Sequence, residues 1–124
     1  MLINIYAAWG GILAGCLSGA ITGLFFHAED WLGGYASWRR RMIRLGHISF
    51  FGIAFLNLAF ALTCQSLGLN SGLAIPSGLL LVGAVTMPLV CYLSAWKPPF
   101  RHIFFIPAGS LTLAVVVFIL KLHF

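Results

Sequence analysis

Ser37-Trp38-Arg39-Arg40-Arg41-Met42-Ile43-Arg44-Leu45-Gly46-His47 leads straight into residues 48–67, a run without one charged side chain. That junction, four arginines against an uncharged stretch, decides the fold. Uncharged runs also occupy residues 2–26, 73–96 and 103–120. Each is close to the 17–25 residues or so that cross a hydrocarbon core of about 30 Å. With 61% hydrophobic and 7% charged residues, the chain carries too little charge to keep a soluble surface of this size wet. Inside hydrocarbon the backbone must bond to itself, so the runs are expected to be helices. Strands of a membrane barrel are about half as long and alternate polar with apolar residues. The expected fold is an all-α integral membrane protein, a four-transmembrane-helix bundle. Its helices are expected at about 2–26, 46–67, 73–96 and 102–121, as one transmembrane domain over residues 1–124.

The basic residues give the orientation. Arg39, Arg40, Arg41 and Arg44 lie in the first gap, Lys97 and Arg101 in the third; only Lys121 lies elsewhere. The positive-inside rule then puts gaps one and three in the cytoplasm and both termini outside, as in a bacterial inner membrane. Trp31, Tyr35, Trp38, Tyr92 and Trp96 fall where an inner-face aromatic belt is expected. All six charges are read as topology markers facing lipid headgroups, with Glu29 and Asp30 neutralising part of the arginine cluster. Ser37 is a fair N-cap for a basic helical lead-in over residues 38–46.

Packing signals are of two kinds. Gly11, Gly15, Gly19 and Gly23 continue a four-residue repeat begun by Ala7, a groove that lets another backbone approach closely. Its occupant stays open: helix two, three or four, another subunit or a pigment. Asn57, with Ala54 and Ala61 on the same face, is read as structural glue to a neighbouring helix. Pro88 should kink helix three, with Thr86 or a neighbour satisfying the freed carbonyl. Cys16, Cys64 and Cys91 are odd in number and lie in different helices, so neither a disulfide framework nor a metal site is expected.

His27, His47 and His102 fall at one membrane face, among the arginines and near Glu29 and Asp30. The plainest reading is that they face headgroups or neighbouring side chains. A second is a b-type haem held by His47 and His102, with Arg44 and Arg101 for the propionates and His27 nearby. A third is a quinone, chlorin or metal site, the metal disfavoured by six basic groups. No serine or threonine has an activating base and acid, no phosphate-cradling loop occurs, and no ionisable group lies mid-span as a pump or transporter would require.

Gly19 to His27, His47, Tyr92-Leu93 and Pro107-Ala108-Gly109-Ser110 together resemble landmarks of the YgdD-like family of uncharacterised four-span inner-membrane proteins. The basic run at Arg39–Arg41 and the Pro98-Pro99 turn depart from that pattern. The resemblance implies an architecture and no activity. The leading expectation is a small non-catalytic accessory subunit of a larger respiratory or photosynthetic membrane complex, not an enzyme. Its partners would be membrane lipids and other integral membrane subunits, with no nucleic acid. A bound haem b, lipid or pigment is the cofactor alternative, and a small oligomeric transporter the functional one.

Overall fold

The computed structural model describes residues 2–124 and contains four long helices. They are α1 (Leu2–Gly23), α2 (Trp38–Ser66), α3 (Ala74–Trp96) and α4 (Phe105–His123). Each of these segments is long and apolar enough to cross a membrane, α4 together with the short 3₁₀ helix Pro98–Ile103 that precedes it. The chain is therefore an all-helical bundle of integral membrane character.

Boundaries differ from the sequence reading at three places. α1 stops at Gly23 instead of 26, because residues 24–28 pass into turns in which Leu24, Phe25 and Ala28 bond three residues back. α2 begins at Trp38, not 46, since Ser37 caps it by accepting the Arg40 N–H at 3.2 Å. The lead-in is thus one continuous helix with the span, about 44 Å long at 1.5 Å per residue. Pro98 and Pro99 open a 3₁₀ helix where a simple turn was expected, which delays α4 to Phe105.

α2 and α3 form the centre, each packing broadly on the other. α1 packs on α2 and lightly on α3, and α4 packs on α3. Burial follows this order. In its most apolar 18-residue window α1 is 11% buried and the α4 span 17%, against 33% for α2 and 39% for α3. The outward faces of α1 and α4, including Trp9, Leu13, Leu17 and Ile119, are exposed hydrocarbon. Near the short connection at residues 67–73, Phe60, Cys64, Leu73, Leu80 and Ala114 make the apolar core. Phe118 of α4 meets Phe60 edge-on at 4.8 Å.

The glycine repeat of α1 faces α2. A Cβ on Gly11 would lie 3.0 Å from Ala54 Cβ and 3.2 Å from the Phe50 carbonyl. One on Gly15 would meet the Phe51 ring, and one on Gly19 the His47 ring. Gly23 faces open space. The groove is thus filled from within the chain over three of its four glycines.

Polar side chains fasten the helices. Asn4 Nδ2 donates to Asn57 Oδ1 at 2.8 Å, and Ser77 Oγ donates to Asn4 Oδ1 at 2.5 Å. Asn57 Nδ2 donates to the Ile53 carbonyl at 3.0 Å. Both asparagines are fully buried, so α1, α2 and α3 share one hydrogen-bonded node. Ser110 of α4 donates to the Leu79 carbonyl at 2.6 Å, a smaller fastening of the same kind. Thr86 bonds to Val82 O at 2.6 Å, whereas Pro88 frees the carbonyl four residues back, that of Ala84. The expected rescue by Thr86 therefore goes to a different carbonyl.

Two stability measurements check this packing. By SDS titration of the protein in detergent micelles, Asn4→Leu should cost about 1–2 kcal/mol because it orphans the Asn57 carbonyl. Asn4→Leu with Asn57→Leu should cost less than the sum of the two single changes. Gly11→Val should destabilise by about 1–3 kcal/mol by forcing α1 off the Phe50–Ala54 backbone. Gly10→Ala, which faces open space, should be neutral in the same assay.

Candidate functional site

The first connection closes over a buried arginine. Leu32, Gly33 and Gly34 all have positive φ (53°, 90° and 98°), so the chain reverses there with two glycines taking most of the left-handed backbone. The reversal sets Ser37 as cap and brings Arg40 beneath the end of α1. Arg40 is only 2% exposed. Its guanidinium donates to the carbonyls of Phe26 (3.0 Å), Ala28 (3.3 Å) and Glu29 (3.2 Å). The rings of Phe26 and Trp31 lie 4.7 and 5.6 Å from it. A cation here also meets the negative end of the α1 dipole.

Arg40 therefore does not face headgroups with its neighbours, as the charge count implied. Nor is it neutralised by the acids: Glu29 and Asp30 are exposed, and Glu29 offers its main-chain oxygen. The reason is geometric. Past the end of α1 the carbonyls are outside the helical ladder, with only Ala28's taking a turn bond, from the Trp31 N–H at 3.2 Å, and a planar five-donor group gathers three of them.

The remaining basic residues lie outward. Arg39, Arg41, Lys97 and Arg101 are exposed. Arg41 lies over the Trp38 ring at 5.9 Å, and Lys97 over Trp96 at 4.7 Å. Arg44 donates to the Tyr35 carbonyl at 2.8 Å and stacks 4.0 Å above its ring.

The residues read as a haem set have different surroundings. His47 is turned into the α1–α2 interface, with Nδ1 3.0 Å from Ser18 Oγ and its ring edge-on to Phe51. A Cβ on Gly19 would come within 2.6 Å of the imidazole, so the ring packs closely on α1. His102 is exposed on the 3₁₀ helix that packs against α3, and His27 is exposed beyond α1. Arg44 is committed to Tyr35 and Arg101 to no buried group. Among the described residues no group of three His, Cys, Asp or Glu is placed to hold a metal ion.

Two features escaped the sequence reading. Trp38 is a strut across the bundle: its indole N–H donates to the Ser94 carbonyl of α3 at 2.7 Å. Asn4 is the partner of Asn57, and a second amide within an uncharged run was the signal that could have found it.

Tyr92 lines two cavities. One is a cleft of about 590 Å³ between α1 and α3 floored by α2, running from Ala7 and Leu81 past Ala14, Phe50 and Pro88 to Tyr92. The other, about 260 Å³, holds Arg39, Ile43, Ala95 and Trp96. The Tyr92 ring lies on Gly46, where a Cβ would be 3.0 Å away. Its hydroxyl is buried and faces Ser18 without closing a hydrogen bond.

The arginine clamp predicts a local failure. Arg40→Met should lower stability by about 2–3 kcal/mol, since the Phe26, Ala28 and Glu29 carbonyls lose a charged donor. It should also open residues 24–37 to limited proteolysis in micelles, while Arg39→Gln leaves that segment protected. Arg40→Lys should fall between them, because an ammonium cannot bridge three carbonyls in one plane.

No family model, no curated protein and no solved structure matches the chain.

Proposed function

We propose that the chain is a small, non-catalytic integral membrane subunit of a larger membrane protein complex of the respiratory or photosynthetic kind. Its arginine-bearing end would face the cytoplasm of a bacterial inner membrane, with both termini outside. The observation that carries this reading is where the polar side chains of the spans go. Asn4, Asn57, Ser77 and Ser110 are all spent on bonds between helices. Arg40 and Trp38 likewise bind main-chain carbonyls of their own chain. Groups that a transporter or enzyme would aim at a substrate are here used to fix a rigid body. The flanking helices, mostly outward-facing, leave broad surfaces for neighbouring subunits. The resemblance to four-span inner-membrane proteins supports the same architecture.

Membranes solubilised in mild detergent and run on blue-native gels test the proposal. The chain is expected to migrate well above its own dimer, together with other integral proteins. A photo-crosslinker at Leu13 or Leu17, exposed on α1, is expected to give a heterologous adduct. Migration as a lone monomer or homodimer would overturn the reading. A periplasmic reporter fused after Phe124 is expected to be active, and an inactive one would reverse the orientation.

A further inference from the structure

The cleft and the Arg39 pocket follow one another along the bundle and share Tyr92 as a lining residue. On α3 the lining residues Leu81, Pro88, Tyr92 and Trp96 fall on one face at helical spacing. On α2, Arg39, Ile43, Phe50 and Ala54 do the same. Gly46 continues that face beneath the Tyr92 ring. This seam of cleft and pocket is apolar from Leu81 to Tyr92 and basic beyond it.

We propose that this seam binds one anionic phospholipid, with an acyl chain in the cleft and the phosphate at Arg39. Length selects this occupant over a protein helix. From Leu81 to Tyr92 the seam covers about 17 Å at 1.5 Å per residue, close to half of a hydrocarbon core of about 30 Å. Its far end is closed where Ser77 and Asn4 tie α3 to α1. A transmembrane helix would have to continue past that closure, whereas an acyl chain ends before it. The cleft volume of about 590 Å³ is ample for a chain lying between helices.

Charge selects the headgroup. Arg39 is exposed, and no described residue pairs with it or accepts a hydrogen bond from it. Lys97, above the Trp96 ring that lines the same pocket, adds a second positive charge. Guanidinium binds phosphate oxygens through paired N–H donors. The site requires no protein partner, so it stands or falls apart from the subunit reading.

Native mass spectrometry of the protein taken from equimolar phosphatidylglycerol and phosphatidylcholine nanodiscs tests the site. Wild type should retain one phosphatidylglycerol per chain with a preference of about fivefold, the factor for one arginine near an anionic surface. Arg39→Gln should lower that preference to the smaller share that Lys97 supplies, and Arg101→Gln, also exposed, should leave it unchanged. Gly10→Leu grows a side chain into open space beside the cleft and should reduce retention of both lipids. Equal retention of the two lipids by wild type would overturn the proposal, as would an unchanged preference in Arg39→Gln. A lipid-free dimer broken by Gly10→Leu would assign the seam to a second copy instead. Arg39 is a surface residue whose variant keeps the fold, so it decides the matter alone if Gly10→Leu does not fold.

Discussion

Inside hydrocarbon a side-chain amide has no water to return to, and each unmade bond costs its full desolvation. Asn4 and Asn57 meet that constraint by binding each other, with Ser77 and the Ile53 carbonyl taking the remaining valences. Everything else in the bundle is arranged around this node. It fixes the rotation of α1 so that Gly11, Gly15 and Gly19 meet α2, and it pins α1 to α3 at one end only. Toward the other end α1 lies against α2 while a gap stays open between it and α3. The cleft above Phe50 and Ala54 follows from that arrangement.

At the opposite end a different device works under the same rule. The carbonyls that follow α1 have no helical partner, and Arg40 supplies donors for three of them while the rings of Phe26 and Trp31 exclude water. A charge that looks like a topology marker thus serves as internal structure, while Arg39, one residue earlier, is left free. Adjacent arginines differ because α2 begins at Trp38: each residue is turned about 100° from the one before it.

Much of the fold was legible in residue order. Uncharged runs of spanning length gave four helices, Ser37 gave the start of the basic lead-in, and the four-residue glycine repeat gave the close face of α1. The candidate site was less legible. Three histidines at one depth suggested a shared cofactor, but depth does not fix azimuth, and His47 is turned toward Ser18 and Gly19 while His102 faces outward. Arg40 was hidden for a similar reason, since carbonyl acceptors carry no signature in a sequence. Trp38 looked like a lipid-facing belt residue because its partner, the Ser94 carbonyl, is also main chain.

The asparagine node also has a chronology. Its partners stand 53 and 73 residues apart along the chain, so α1 enters the membrane long before either exists. Asn4 sits in the first turn of α1, and its side-chain amide has no partner until α2 and α3 emerge. Synthesis, proceeding from the N-terminus, thus leaves the key amide without its partners at first, and the locking of α1 becomes a late event in assembly.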